Sequence, residues 1–221
     1  NNLSLNRAKS AEIVFVAPRS RRDIVIPPAA VPGFKRVDTL KILGVTISRR
    51  FAVTEHVDYL LAACAQTLFA LRTLRRHGLP TAALHTVFQA TVVAKLTYAS
   101  PAWWGYANAA DRARLEAFLR RSVLFGHRAA SAPTLASICA TADDKLFSHI
   151  TNNKQHLLYP LLPPPRDDHY ALRTRTRHNL VLPIRTSAVN NCNFIIRMMY
   201  KDMNYSSLSQ SILSVQQDND N

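Results

Sequence analysis

Two aspartate pairs and one lysine are the residues of this chain whose type and spacing could do chemistry. Thr141-Ala142-Asp143-Asp144 and Asp167-Asp168 each set two carboxylates side by side, and adjacent carboxylates can hold divalent cations. Asp143 opens an expected helix, where an acidic side chain is a natural N-cap. Asp167-Asp168 follows Pro163-Pro164-Pro165 and reads as a solvated turn. Neither pair is expected to bind a metal. The histidines are scattered, with no His-x-x-x-His pair, and there is no Gly-x-Ser-x-Gly elbow, which argues against a metalloenzyme or a hydrolase. Cys64, Cys139 and Cys192 are odd in number and far apart, so neither a disulfide framework nor a zinc site is indicated. The third candidate, Lys9, takes its meaning from its neighbours.

Charge narrows the partner. Twenty-eight Lys and Arg against fourteen Asp and Glu leave a net charge of +14, a bias that points to a polyanion. Between Arg72 and Arg128 nine Lys or Arg face only Asp111 and Glu116. A membrane is not the expected partner, because the uncharged run over 78–94 is interrupted by His85 and Gln89 and falls short of a bilayer span. Free cysteines suit a reducing compartment, so the expected location is intracellular, nuclear or cytoplasmic, and not secreted.

The elements that must position these residues change character once. Residues 11–17 read as a strand closed by Pro18, residues 23–26 as a second strand stopped by Pro27-Pro28, and residues 40–47 as a third. Three short strands leave open edges and an uncovered apolar face, which implies sheet partners N-terminal to Asn1. From Thr54, a good N-cap, the apolar period becomes helical: Val57, Leu60, Leu61, Cys64, Leu68, Leu71 and Leu74 share a face. Arg72, Arg75, Arg76 and His77 crowd its last turns and Gly78 stops it, so part of this charge suits the helix dipole. Pro80 opens a second helix running to about residue 99, with Leu84, Val87, Phe88, Thr91, Val92 and Leu96 on its apolar face. The short connection predicts an antiparallel hairpin with the first helix.

Trp103 and Trp104 form an aromatic corner after Pro101, expected in the core, with base stacking as the alternative. A third helix follows Asn108, with Leu115, Phe118, Leu119, Ser122 and Val123 inward and Arg112, Arg114, Arg120 and Arg121 more exposed. Residues 134–140 and 143–158 predict two further helical segments, and the prolines from Pro160 end the helical region. Residues 173–177 alternate, 180–184 have strand composition broken by Pro183, and 194–200 form a short apolar helical run. From Ser206 the chain is rich in Ser, Gln, Asn and Asp and reads as a disordered tail.

Leu5-Asn6-x-x-Lys9-Ser10 before the first strand, Leu43-Gly44-Val45 about thirty residues later, and basic helical sequence after it resemble, in order and spacing, the reverse transcriptases of non-LTR retrotransposons (LINE-type, jockey-like). That family has a Leu-Asn-x-x-Lys-Thr/Ser element, motif D, then a Leu-Gly-Val hairpin, motif E or the primer grip, and then a helical thumb. Residues 71–78, 98–105 and the basic helix after Asp111 look like the thumb. The resemblance covers roughly residues 3–200.

The resemblance implies an α+β fold: a small N-terminal sheet remnant over 1–52, comprising a palm edge with the primer-grip hairpin, and an all-α thumb-like bundle over 53–160. An ill-defined extension over 161–205 and the tail over 206–221 complete the expected organisation. The family's metal-binding hairpin, aromatic-Ala-Asp-Asp, precedes motif D, so Mg²⁺ is implied for the complete polymerase and no cofactor for this fragment. Lys9 would sit near the nucleotide phosphates and assist the departing pyrophosphate. Leu43 and Gly44 would lie against the primer end, with glycine permitting close approach. Arg72, Arg75, Arg76, Lys95, Arg120 and Arg121 would track phosphates of an RNA–DNA or DNA duplex without reading bases; Lys95 interrupts an apolar helix and otherwise snorkels from it. The implied partners are that duplex and the missing N-terminal palm and fingers, and the isolated chain is expected to be inactive. The alternative is a domesticated or degenerate helical module that binds nucleic acid or protein without enzymatic activity.

Overall fold

The computed structural model describes residues 5–16, 28–166 and 178–201. The expected strand over 23–26, the Asp167-Asp168 pair, the alternating run over 173–177 and the tail lie outside them. The fold is mixed, of the α+β type, with helix predominating and sheets of two strands each. Two compact units divide the chain after Ala142.

In the first unit the sheets differ from the expected strands. β1 (Ala11–Glu12) pairs in parallel with β2 (Lys35–Arg36), and the cross-strand Glu12–Arg36 ion pair of 2.6 Å closes this short ladder. Residues 13–16 leave the ladder, and Val16 donates its backbone N–H to the Arg49 carbonyl. The run expected as one strand over 40–47 is a hairpin: β3 (Thr39–Ile42) pairs antiparallel with β4 (Val45–Ser48), Leu40 opposite Ile47. Leu43 at φ +47° and Gly44 at φ +89° make the turn. Two successive positive φ values belong to the primed turns that match the twist of paired strands. An apolar β-branched run hides such a turn because Leu is a poor left-handed residue.

α1 (Thr54–Arg76) buries Val57, Leu60, Cys64, Leu68 and Leu71 of the face its periodicity predicts, whereas Leu61 is half-buried and Leu74, in the last turns, is exposed. Its start differs: Val53 occupies the N-cap position without a side-chain bond, and the Thr54 hydroxyl instead donates to Asp111 Oδ2 at 2.8 Å. The second expected helix is interrupted. α2 (Thr81–Phe88) passes through a π turn over Gln89–Val93 into α3 (Ala94–Thr97). The extra residue of that turn brings Val92 and Val93 both inward while Thr91 stays exposed. The run ends at Tyr98-Ala99, where Ala99 adopts φ +50°.

α4 (Ser100–Trp103) and a 3₁₀ turn over Trp104–Tyr106 follow. Trp103 is fully buried and donates its indole N–H to the Tyr98 carbonyl; Trp104 is buried beside it, edge-on. α5 (Ala109–Leu124) is capped by the Asn108 side chain, which accepts from the Asp111 N–H at 2.7 Å, and it buries Leu115, Phe118, Leu119 and Ser122.

α1 and α5 lie side by side in the same direction. Thr54 meets Asp111 and Asp58 meets Arg114 near their starts, and Arg72 and Arg75 meet Phe125 at their ends. Parallel neighbours need a return crossing, which α2, the π turn and α3 supply: the Cys64 thiol lies against the Val92 carbonyl. Leu84, Phe88, Val92, Val93 and Leu96 therefore fill the space behind α1 together with Trp103 and Leu115.

α6 (Leu135–Asn152) is one helix where two segments are expected, and the division between the units falls within it. Its beginning is held by Thr134 Oγ1, accepting from the Ser137 N–H, and by Glu116, accepting from the Ala136 N–H. Asp143 is thus in mid-helix and is no N-cap. In the second unit α7 (Ala188–Asn191) and α8 (Phe194–Met199) follow, the latter where the apolar run over 194–200 places it. Phe147, Met198 and Met199 form a small core with Leu162, Leu180 and Ile195 against it. Residues 180–184 make one isolated bridge, Pro165 to Leu180, and no longer strand. Among the described residues no helix is long and apolar enough to cross a membrane.

Candidate nucleic-acid interface

The parallel pairing of α1 and α5 brings two arginine clusters, over forty residues apart in sequence, to one end of the first unit. Arg72, Arg75 and Arg76 lie in the last turns of α1, and Arg120 and Arg121 in the last turns of α5; all five are exposed. Among the described residues none of them has a carboxylate within 4.0 Å. Nor are their side chains spent on closing α1. The His77 N–H reaches the Thr73 and Leu74 carbonyls, and the Gly78 and Leu79 N–H groups reach Arg75 and Leu74. The orphan carbonyls that a helix end must satisfy are covered by backbone.

The ends of the two helices enclose a groove of about 240 Å³ lined by Ala65, Leu68, Arg72, Phe118, Arg121, Ser122 and Phe125. The Arg72 guanidinium stands 5.5 Å from the Phe125 ring centre, within cation–π range. Arg75 donates to the Phe125 carbonyl at 2.6 Å. His127, two residues on, is fully buried, and among the described residues its ring nitrogens have no hydrogen-bond partner. Burial first, and then the positive charges of Arg75, Arg72 and His85, hold its pKa below the ordinary histidine value.

Three other cations of this stretch have structural duties. Arg114 bridges Asp58 at 2.5 Å and Asp111 at 3.3 Å. Arg112, expected among the exposed residues, is half-buried, stacked 5.0 Å over Trp104 and donating to its carbonyl. Arg128 is buried and donates to the Pro133 carbonyl.

Lys95 does not join the arginine end. It is exposed on α3, and its charge is felt at Cys64 in the middle of α1; at 1.5 Å per residue that level is about 12–17 Å along the axis from Arg72 and Arg75. Burial pushes the Cys64 thiol up to about 11, so the sulfur stays protonated and inert.

The Leu43-Gly44 turn forms a second feature. Leu43 is 87% exposed, and its carbonyl accepts from the Tyr98 hydroxyl at 3.2 Å. A Cβ on Gly44 would stand 3.3 Å from the Tyr98 ring, so the turn rests closely on that ring. Lys9 sits in a 3₁₀ turn over Arg7–Lys9 closed by Asn6, whose side chain accepts from the Lys9 N–H, while Ser10 Oγ donates to the Asn6 carbonyl. Local capping thus accounts for the Asn6-x-x-Lys9-Ser10 spacing, and the Lys9 side chain is exposed.

Asp143 and Asp144 face cations. Asp143, buried, is paired with Arg197, and Asp144 with Lys201 at 2.6 Å. These carboxylates do not fit a Mg²⁺ site, and among the described residues no group of three His, Cys, Asp or Glu side chains converges to hold a metal.

Sequence reasoning passed over Tyr98 and Phe125. Both are aromatic residues left exposed just past the end of an apolar helical stripe, a signal that becomes legible once the helix ends are known. No family model, curated protein or solved structure matches the chain.

Proposed function

We propose that this chain is the palm-edge and thumb portion of a retroelement reverse transcriptase, binding template–primer duplex without regard to sequence. The observation that supports this reading best is the gathering of Arg72, Arg75, Arg76, Arg120 and Arg121 in the last turns of α1 and α5, with no carboxylate of the described residues within 4.0 Å of them. Exposed guanidinia of this kind position a phosphate backbone and carry no base information. The exposed Leu43-Gly44 turn braced on Tyr98 suits a backbone that approaches a primer end closely. Chemistry would require the Mg²⁺-binding carboxylates of a preceding segment, so the isolated chain binds and does not extend a primer.

The test is the salt dependence of duplex affinity, measured by fluorescence anisotropy with DNA and RNA–DNA duplexes of unrelated sequence. Neutralising about five phosphates gives a log–log slope of roughly −4 to −5. An affinity that does not change between low and moderate salt, or one that depends strongly on sequence, would overturn the reading.

A further inference from the structure

The arginine end carries a groove between α1 and α5. Its floor is Leu68 and Phe118, with Arg72 on the α1 wall and Arg121 and Phe125 on the α5 wall. The one hydroxyl among the described lining residues, Ser122, is committed to the Phe118 carbonyl at 3.0 Å, so the hydrogen-bonding side chains that remain are the Arg72 and Arg121 guanidinia. At about 240 Å³ the space is smaller than a pocket for a whole drug-sized ligand, which begins near 300 Å³, and suits one flat group. Arg72 stands over the Phe125 ring at 5.5 Å, and Phe125 is nonetheless half-exposed, which leaves ring surface for a stacked group. Arg72 and Arg121, neither paired with a carboxylate among the described residues, set positive charge on both rims.

The occupant that matches is planar and apolar on its faces, anionic beside them, and continuous with a polyanion that reaches Arg75, Arg76 and Arg120. A nucleotide satisfies all three conditions, provided its base is unstacked. An acidic peptide with an apolar anchor satisfies the first two, but its charges would have to be spaced to follow the rest of the cluster.

We propose that the groove between the ends of α1 and α5 takes a single unpaired base at the end of a bound duplex, stacked against Phe125 with its phosphate held between Arg72 and Arg121. This deepens the duplex-binding reading and rests on it. With both guanidinia engaged by the phosphate, the base is held by stacking on the Phe125 ring, and the four bases are accepted alike.

The full-length chain is titrated, at fixed salt, against a fluorescent blunt DNA duplex, the same duplex with a one-nucleotide overhang carrying each base, and one with an abasic overhang. Base stacking on an aromatic side chain predicts an overhang bound about fivefold or more tighter than the blunt end, with the abasic overhang equal to blunt. Phe125→Ala brings the overhang-to-blunt ratio to about one. Phe125→Trp keeps the preference, and its added indole fluorescence is quenched by the overhang and not by the blunt end. Equal affinity for overhang and blunt duplexes, with the expected salt slope, overturns this proposal and leaves duplex binding standing; absence of any duplex binding overturns both. A preference that survives Phe125→Ala, with circular dichroism unchanged, places the base elsewhere and also overturns it. So does a Phe125-dependent complex with a peptide bearing a leucine between glutamates, combined with no overhang preference.

Discussion

Arg75 donates to the backbone carbonyl of Phe125, fifty positions away in the chain, at 2.6 Å. The same guanidinium lies 3.4 Å from where a Cβ on Gly126 would stand, at a residue with φ +68°. One arginine thus fastens the end of α1 to the end of α5 and adds its charge to the cluster formed there.

This double duty separates Arg75 from its neighbour. Arg75→Ala is expected to lower unfolding free energy by about 0.5–1.5 kcal/mol through the lost hydrogen bond and to reduce the salt slope of duplex binding by about one. Arg76→Ala, with no internal partner among the described residues, should leave stability within about 0.5 kcal/mol while changing the slope equally. Urea titration and anisotropy on the two variants check both halves.

The hairpin turn is predicted to trade stability for contact. Leu43 at φ +47° sits in a conformation that costs a leucine about 1 kcal/mol, and Asn tolerates it better. Leu43→Asn should therefore raise the thermal midpoint yet weaken duplex binding, because an exposed apolar tip is lost. Unchanged affinity in this variant would mean that the tip does not touch the duplex. Gly44→Ala should destabilise by more than about 1 kcal/mol, since its φ is +89° and the Tyr98 ring stands 3.3 Å from the added carbon.

Two buried histidines make stability depend on pH. His56, edge-on to Trp103, and His127 both have their pKa lowered from 6.5, chiefly by burial, with Lys41 adding to the effect on His56 and Arg75, Arg72 and His85 on His127. The unfolded chain takes up protons near 6.5 while the folded chain resists to lower pH. Their contribution is complete above about 6.5 and is lost as pH falls from there toward the folded pKa values. Denaturation midpoints should fall over that window, and less steeply in His127→Phe. Duplex bound at Arg72 and Arg75 should raise the His127 titration midpoint, followed by NMR of the imidazole protons, and leave His56 in place.

In the second unit, Asp143→Ala leaves Arg197 without its partner. Removing one member of a buried pair costs about 3 kcal/mol, whereas losing a simple N-cap costs about 1 kcal/mol. Asp144→Ala, whose pair with Lys201 is about a third exposed on each side, should cost less than about 1 kcal/mol. Chemical denaturation of the two variants separates the ion-pair role of Asp143 from a capping role.

Helix faces were legible because burial follows the 3.6-residue period: Val57, Leu60, Cys64, Leu68 and Leu71 needed no tertiary information. Places where the chain departs from that period were not. Thr54 carries the letters of a cap, but its hydroxyl reaches Asp111. Asp143-Asp144 carries the letters of a helix start, but Thr134 had already begun the helix. The π turn over Gln89–Val93 shifts a register that any fixed period assumes constant. A capping or turning residue is chosen among several suitable ones by long-range partners, and a local window contains none of them.

The sequence alone determined that this is a strongly basic chain passing from short strands to amphipathic helices, with arginines gathered near helix ends. Composition and periodicity are sums over residues, and they survive without coordinates. The tertiary structure decided which cations stay unspent and which share a surface. Running α1 and α5 in parallel places Arg72 and Arg75 beside Arg121 and Phe125, commits Arg112, Arg114 and Arg128 to the fold, and leaves Lys95 at another level. Helix direction depends on how α2 and α3 return against Cys64. That is a packing outcome, fixed by side chains that meet only after the chain has folded.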